Sequence, residues 1–289
     1  MPHRLLPIAL VALLIALAGC GDDEDDSSGS PAQDTTPSSE TTPSASDGFN
    51  RVVEVEGGRG LYVRCTGSGS PTVVMEAGDA DTGDSYAFAE PAVSKVTRAC
   101  VYDRANLGQS DPAPGPRGLS DLVGDLEGLL EAGEIPGPYV LVGTSGGGYI
   151  TAGYAYEHPR DTAGLVFIDT AAPFPDPPKE IVEETSPDNP ENVEKRDYLQ
   201  VEEDAWNARR RIGDIPVKVV SVKASAEAIA ESSSPQERSL IRRNVERQQG
   251  WLVLSPRAEQ IVANTSHAVE EDDPRLVIDV ILDAVKEAR

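Results

Sequence analysis

Residues 139–143, Tyr-Val-Leu-Val-Gly, form an unbroken apolar run of the kind a strand shows when both its faces are buried. Comparable short runs recur at 72–76, 99–102, 164–169, 215–222 and 259–263. Between them the apolar period changes from strand-like to helical. Leu122, Leu126, Leu129 and Leu130 share one helical face, as do Leu276, Val277, Val280, Ile281 and Val285. Near the front, residues 51–56 and 61–65 alternate apolar and polar around Gly57-Gly58-Arg59-Gly60, which predicts a β-hairpin. Shorter helices are expected over 85–95 and 234–249, with Ser120 as the N-cap of the Leu122 helix and Asp273-Pro274 opening the last one. Strands alternating with helices predict βαβ units and a mostly parallel sheet.

Two stretches depart from this rhythm. Residues 173–213 open with Pro173, Pro175, Pro177 and Pro178, then turn charged and helical up to Arg211. They read as a small cap inserted after the 164–169 strand, or else as a solvated surface excursion. Residues 21–50 are Ser, Thr, Pro, Asp and Gln with almost no apolar side chain and no Lys or Arg. Such a segment cannot offset its ordering entropy by burial, so it reads as a tether, and its acidic run Asp22–Asp26 as solvation. Ahead of it, Arg4 followed by an aliphatic stretch over 5–17 reads as a targeting segment. Leu17-Ala18-Gly19-Cys20 resembles a bacterial lipobox, whose Cys is acylated and becomes the new N-terminus; the alternative is an ordinary secretory signal. The expected organisation is a lipoprotein signal peptide (1–19), a tether (20–50) and a folded domain (51–289), placing the protein on the outer face of a bacterial membrane through the lipid on Cys20.

The chain of 289 residues carries a net charge of −24, which argues against nucleic-acid binding and against adhesion to anionic lipid. Of the three Cys, Cys20 is assigned to lipid, leaving Cys65 and Cys100 as an even pair in an oxidising compartment.

The candidate chemistry sits at the end of the 139–143 run, in Gly143-Thr144-Ser145-Gly146-Gly147. A strand that turns sharply into a helix pushes the serine side chain out at the top of a sheet, and glycines on either side relieve the crowding. Gly-x-Ser-x-Gly also occurs in plain loops; the preceding strand favours the functional reading. A serine hydroxyl needs a base. Of three His, His3 belongs to the targeting segment, and His158 lies at the far end of the helix after Ser145, before Pro159. His267, between the last strand and the last helix, remains.

At these residues the chain resembles the α/β-hydrolase superfamily over most of 51–289. Tyr102-Asp103-Arg104 with Gly108 and Ser110 is similar to a structural loop of that family. The resemblance implies an α/β fold with a mostly parallel eight-stranded sheet flanked by helices. It implies Ser145 as nucleophile and His267 as base. Most of the family place the acid after the strand that follows the cap, but no Asp occurs between Ile215 and Gly250. Asp169, in Phe167-Ile168-Asp169-Thr170-Ala171-Ala172-Pro173, resembles the acid of pancreatic-type lipases and is the expected third member, with Glu227 in reserve. The oxyanion donors would be the backbone amides of Gly146 and Asp79, the Asp79 side chain pointing away. Family strand order also puts Cys65 beside Cys100, which favours a disulfide over two free thiols. The expected activity is hydrolysis of a small-molecule ester through an acyl-enzyme, with no metal or organic cofactor. Epoxide and haloalkane hydrolysis are disfavoured, because the family then uses Asp in place of Ser145. An aminopeptidase or amidase, with Glu202 and Glu203 binding a substrate amine, and a non-catalytic binding lipoprotein remain as alternatives. The oligomeric state is left unknown.

Overall fold

The computed structural model describes residues 48–173, 186–223 and 235–289. Cys20, the acidic run, Pro175, Pro177, Pro178 and Glu227 lie outside the described residues. Eight strands form one sheet in the order β1-β2-β4-β3-β5-β6-β7-β8. They are β1 (Phe49–Val55), β2 (Arg59–Thr66), β3 (Thr72–Glu76), β4 (Ala99–Tyr102), β5 (Tyr139–Thr144), β6 (Thr162–Ile168), β7 (Val217–Val222) and β8 (Ala258–Ala263). β1 and β2 make the expected hairpin, and β2 runs antiparallel to β4. From β4 to β8 every pairing is parallel.

The central strands explain their own apolar runs. Val140 and Val142 pack into the core on one face, and Leu141 into that on the other. β6 does the same with Val166 and Ile168 against Leu165 and Phe167, because successive side chains leave a strand on opposite sides. The short helix α1 (Glu90–Val93) and the terminal helix α8 (Pro274–Glu287) supply Val93, Val277, Val280, Ile281, Ala284 and Val285 to one core. α2 (Leu119–Ala132), α3 (Gly147–Glu157) and α4 (Tyr198–Ala208) cover the other face. Cys65 and Cys100 stand directly opposite each other on β2 and β4 and are joined by a disulfide, with Cα atoms 4.1 Å apart.

Local details differ from the sequence-based expectations. Ser120 is inside α2; Gly118 is the N-cap, and its amide donates to the Asp121 carboxylate at 2.9 Å. That carboxylate, one turn in, accepts from the N-cap residue's own amide, whereas a serine at the cap would have accepted from an amide inside the helix. The helix expected over 234–249 breaks at Arg243 into α5 (Pro235–Arg242) and α6 (Asn244–Gln248). In the insertion, the described helix is α4 alone; residues 186–197 before it are turns, and Lys195 takes a left-handed φ of 56°. These turns pack against the chain entering α2, with Arg117 N donating to Lys195 O at 2.8 Å. A last short helix, α7 (Val269–Asp272), follows β8, and Asp273 caps α8 by accepting from Leu276 N at 3.0 Å.

Candidate active site

Three strand ends converge at one edge of the sheet. β5 ends in Thr144 and the chain turns at Ser145, whose φ of 50° is left-handed. The turn is held by Ser145 N donating to Ile168 O at 2.9 Å and by the Thr170 hydroxyl donating to Ser145 O at 2.9 Å. It is too tight for side chains. A Cβ on Gly143 would lie 2.6 Å from the Cα and 2.7 Å from the nitrogen of Gly148. One on Gly147 would press on the Ala77 carbonyl, and one on Gly148 on Thr170. α3 therefore begins directly beneath Ser145, with its amide-rich end toward the site.

Asp169 follows β6, also with a left-handed φ, of 42°. Its amide donates to Val220 O at 2.8 Å, and its Oδ1 accepts from Val222 N at 3.2 Å and from the Gln248 side-chain amide. Its Oδ2 lies 2.6 Å from Nδ1 of His267, which follows β8. His267 Nε2 lies 3.1 Å from Ser145 Oγ. With the imidazole proton on Nδ1 directed to Asp169, Nε2 is left to accept from the serine hydroxyl. The hydrogen bond to Asp169, against the opposing effect of burial, raises the His267 pKa above the ordinary 6.5. The Asp169 side chain is 4% exposed and that of His267 is 65% exposed, so the row runs from the interior to the surface.

The structure thus brings Ser145, His267 and Asp169 together. His158 is at the other end of α3, roughly 20 Å along the helix from Ser145. It stacks on Tyr154 at 4.5 Å and sits 3.4 Å from Glu127. Glu127, Glu157 and His158 place their ligand atoms within 4.8 Å of one another, the one such group found among the described residues, with no connection to Ser145.

The Asp79 side chain does not point away as expected. Its carboxylate lies against Gly146, where a Cβ would collide with it, and it pairs with Arg196 Nη1 at 2.5 Å. The reason is a row of charges behind the loop after β3. Arg104 donates to Glu76 Oε1 at 2.7 Å, to Glu194 Oε2 at 2.7 Å, and to the carbonyls of Ala77 and Gly78 at 2.7 and 2.5 Å. Glu194 Oε1 accepts from Ala80 N at 2.8 Å. Burial opposes ionisation of Glu194, but Arg196, Arg104 and the Ala80 amide outweigh it and hold its carboxyl down at about 2. Asp103 has the structural role expected of it, accepting from Gly83 N and Gln109 N at 3.0 and 2.9 Å. Sequence reasoning missed Glu194, Arg196 and Gln248. The first two sit in a charged stretch that reads as solvated surface, and no local spacing marks any of the three.

Glu202 on α4 accepts from the Tyr149 hydroxyl at 2.6 Å, and Glu203 is exposed. Beside His267 lies an open cleft of about 440 Å³ in which Asp81, Asp84, Glu270 and Glu271 surround Phe88. Burial pushes the Glu270 carboxyl up, against the pull of His267.

Comparison with known proteins agrees with this architecture. The sequence profile described as alpha/beta hydrolase fold matches residues 71–226. The chain belongs to the alpha/beta hydrolase fold family. It is 25% identical over 215 residues to the uncharacterized protein YqjL of Bacillus subtilis, a match spanning 73% of this chain and 82% of that one. Five further curated relatives are matched over less than half of their own length. Among solved structures, a thermophilic esterase from Thermogutta terrifontis superposes with a TM-score of 0.56 at 21% identity, over 83% of this alpha/beta hydrolase and 99% of the esterase. A putative lipase from Acinetobacter baumannii gives 0.62 at 15% identity, over 83% and 92%. At such identities these structures speak for the fold. Among the described residues no helix is long and apolar enough to cross a membrane.

Proposed function

We propose that this alpha/beta hydrolase is a serine carboxylic ester hydrolase, held outside the cell membrane by a lipid on Cys20. What carries the reading is the hydrogen-bonded row from Ser145 Oγ through His267 to the buried Asp169, with spacings of 3.1 and 2.6 Å. His267 Nε2 takes the hydroxyl proton as Ser145 Oγ bonds to the ester carbonyl carbon. The amides of Gly146 and Asp79 receive the carbonyl oxygen as it becomes negative. His267 then gives the proton to the departing alcohol oxygen, and an acyl-enzyme remains. Water, deprotonated by the same nitrogen, attacks the acyl carbon and returns Ser145 with release of the acid. Asp169 keeps the imidazole in the reactive tautomer and stabilises its cation. His267 works as a base only when neutral. Activity therefore rises with pH through a value above 6.5, set by the Asp169 hydrogen bond.

The test uses a fluorophosphonate probe with p-nitrophenyl esters. Wild type is expected to be labelled and to turn over the esters. Ser145→Ala is expected to lose labelling and at least about 10⁴-fold in kcat. No labelling of either protein would leave a non-catalytic binding lipoprotein. The four carboxylates of the cleft beside His267 favour a second reading, an aminopeptidase or amidase that seats a substrate amine there. Turnover of amino-acid p-nitroanilides without turnover of esters would select it.

A further inference from the structure

The insertion reaches the loop after β3. Glu194 and Arg196, 2% and 1% exposed, reach from it into the loop after β3, and each holds that loop by a different group. Glu194 takes the Ala80 amide, and Arg196 takes the Asp79 carboxylate while its Nη1 lies 3.5 Å from Gly146 O. The placement of Asp79 poses an electrostatic problem. Its carboxylate lies against Gly146, one of the two residues whose amides are assigned to the oxyanion, and an uncompensated negative charge there opposes the charge that develops in the reaction. Asp79 itself is partly open, its side chain 34% exposed, and its carboxylate is paired with Arg196. Three carboxylates, Glu76, Glu194 and Asp79, meet two guanidiniums, Arg104 and Arg196; Arg104 is shared by Glu76 and Glu194, and Arg196 is shared by Glu194 and Asp79, for which it is the guanidinium at hand.

We propose that Arg196 is a positioning residue of the oxyanion hole: it pairs with the Asp79 carboxylate where it lies against Gly146 and cancels its charge, so that the inserted segment sets the electrostatics on which the Asp79 and Gly146 amides depend. This rests on the hydrolase reading above. It differs from a packing role in one respect: the harm done by losing Arg196 comes from the charge that Asp79 then carries alone, and removing that charge cures it.

The experiment is a charge cycle on the full chain, with p-nitrophenyl ester kinetics and thermal melting of every variant. Arg196→Met is expected to lower kcat about 30-fold with KM changed less than about threefold, because the oxyanion forms only after substrate is bound. Arg196→Met with Asp79→Asn is expected to return kcat to within about threefold of wild type, although it restores no ion pair. Arg196→Lys, which keeps the charge without the planar fork, should fall between. Should Arg196→Met not fold, Arg196→Gln serves in the same cycle, since it keeps a hydrogen-bond donor and loses only the charge. A double variant no faster than the single one overturns the proposal and leaves Arg196 as scaffold, and so does a single variant that matches wild type. These outcomes require an active wild type. A wild type that neither labels with fluorophosphonate nor turns over ester would instead remove the hydrolase reading, and the proposal with it.

Discussion

On one side of Ser145 lies the elbow that carries it; on the other lies the loop after β3 that carries Asp79. The elbow is held by shape. Gly143 and Gly148 let two backbone segments approach within 2.7 Å of where a side chain would stand, and Thr170 closes the turn with a hydrogen bond to Ser145 O. Its parts come from consecutive or neighbouring strand-end residues. The loop is held by charge. Its carbonyls, one of its amides and the Asp79 carboxylate end on Arg104, Glu194 and Arg196, and the Asp79–Arg196 pair spans 117 positions. A seat made by exclusion of volume is indifferent to pH and intolerant of any added atom. A seat made by buried ions tolerates changes of shape better than changes of ionisation.

The largest effect that would break this contrast comes from the elbow. Gly143→Ala puts a methyl onto the backbone of Gly148, which cannot turn aside as a side chain can. The expected outcome is ester turnover below about 1% of wild type or failure to accumulate folded protein, checked by kinetics and circular dichroism. Near-normal activity would show that the elbow is looser than its contacts imply.

A smaller effect, and one that depends on pH, is expected in the loop. The Glu194 carboxyl sits near 2 in the folded protein against an ordinary 4.5. Its stabilisation is therefore complete above the unfolded value and is lost as pH falls from about 4.5 toward 2. Glu194→Gln should cost on the order of 3 kcal/mol at pH 7 in denaturant unfolding, with the difference narrowing at pH 3. A gap of equal size at both pH values would mean that Glu194 acts through shape, and the comparison would fail on that side.

The smallest effect returns to the elbow. Thr170→Val keeps the volume and removes the hydroxyl that serves Ser145 O, so it should cost about 1 kcal/mol, the same at pH 7 and pH 3. A pH-dependent cost would blur the distinction between the two walls.

The same contrast explains what could be read before folding. The parallel strands announced themselves as apolar runs because both faces of β5 and β6 are buried, and the elbow because its glycines must be contiguous with the strand it ends. His267 followed from there being so few histidines and from its place after the last strand. The N-cap of α2 was misplaced by two residues, since the capping carboxylate of Asp121 lies inside the helix and Gly118 carries no signal of its own. The disposition of the Asp79 side chain was misjudged because it depends on Arg196, which nothing near Asp79 encodes.

By itself, then, the sequence determined the order of strands and helices, the tight bend at Ser145 and the identity of the only histidine placed to reach it. The first two follow from burial periodicity and backbone sterics, which act over a few residues, and the third from there being three histidines to choose among. Only the tertiary structure decided that Asp169 is the carboxylate meeting His267, that Gln248 steadies its other oxygen, and that Arg196 stands beside Asp79. A buried charge takes whatever partner the packing brings within reach, and that partner can stand anywhere in the chain.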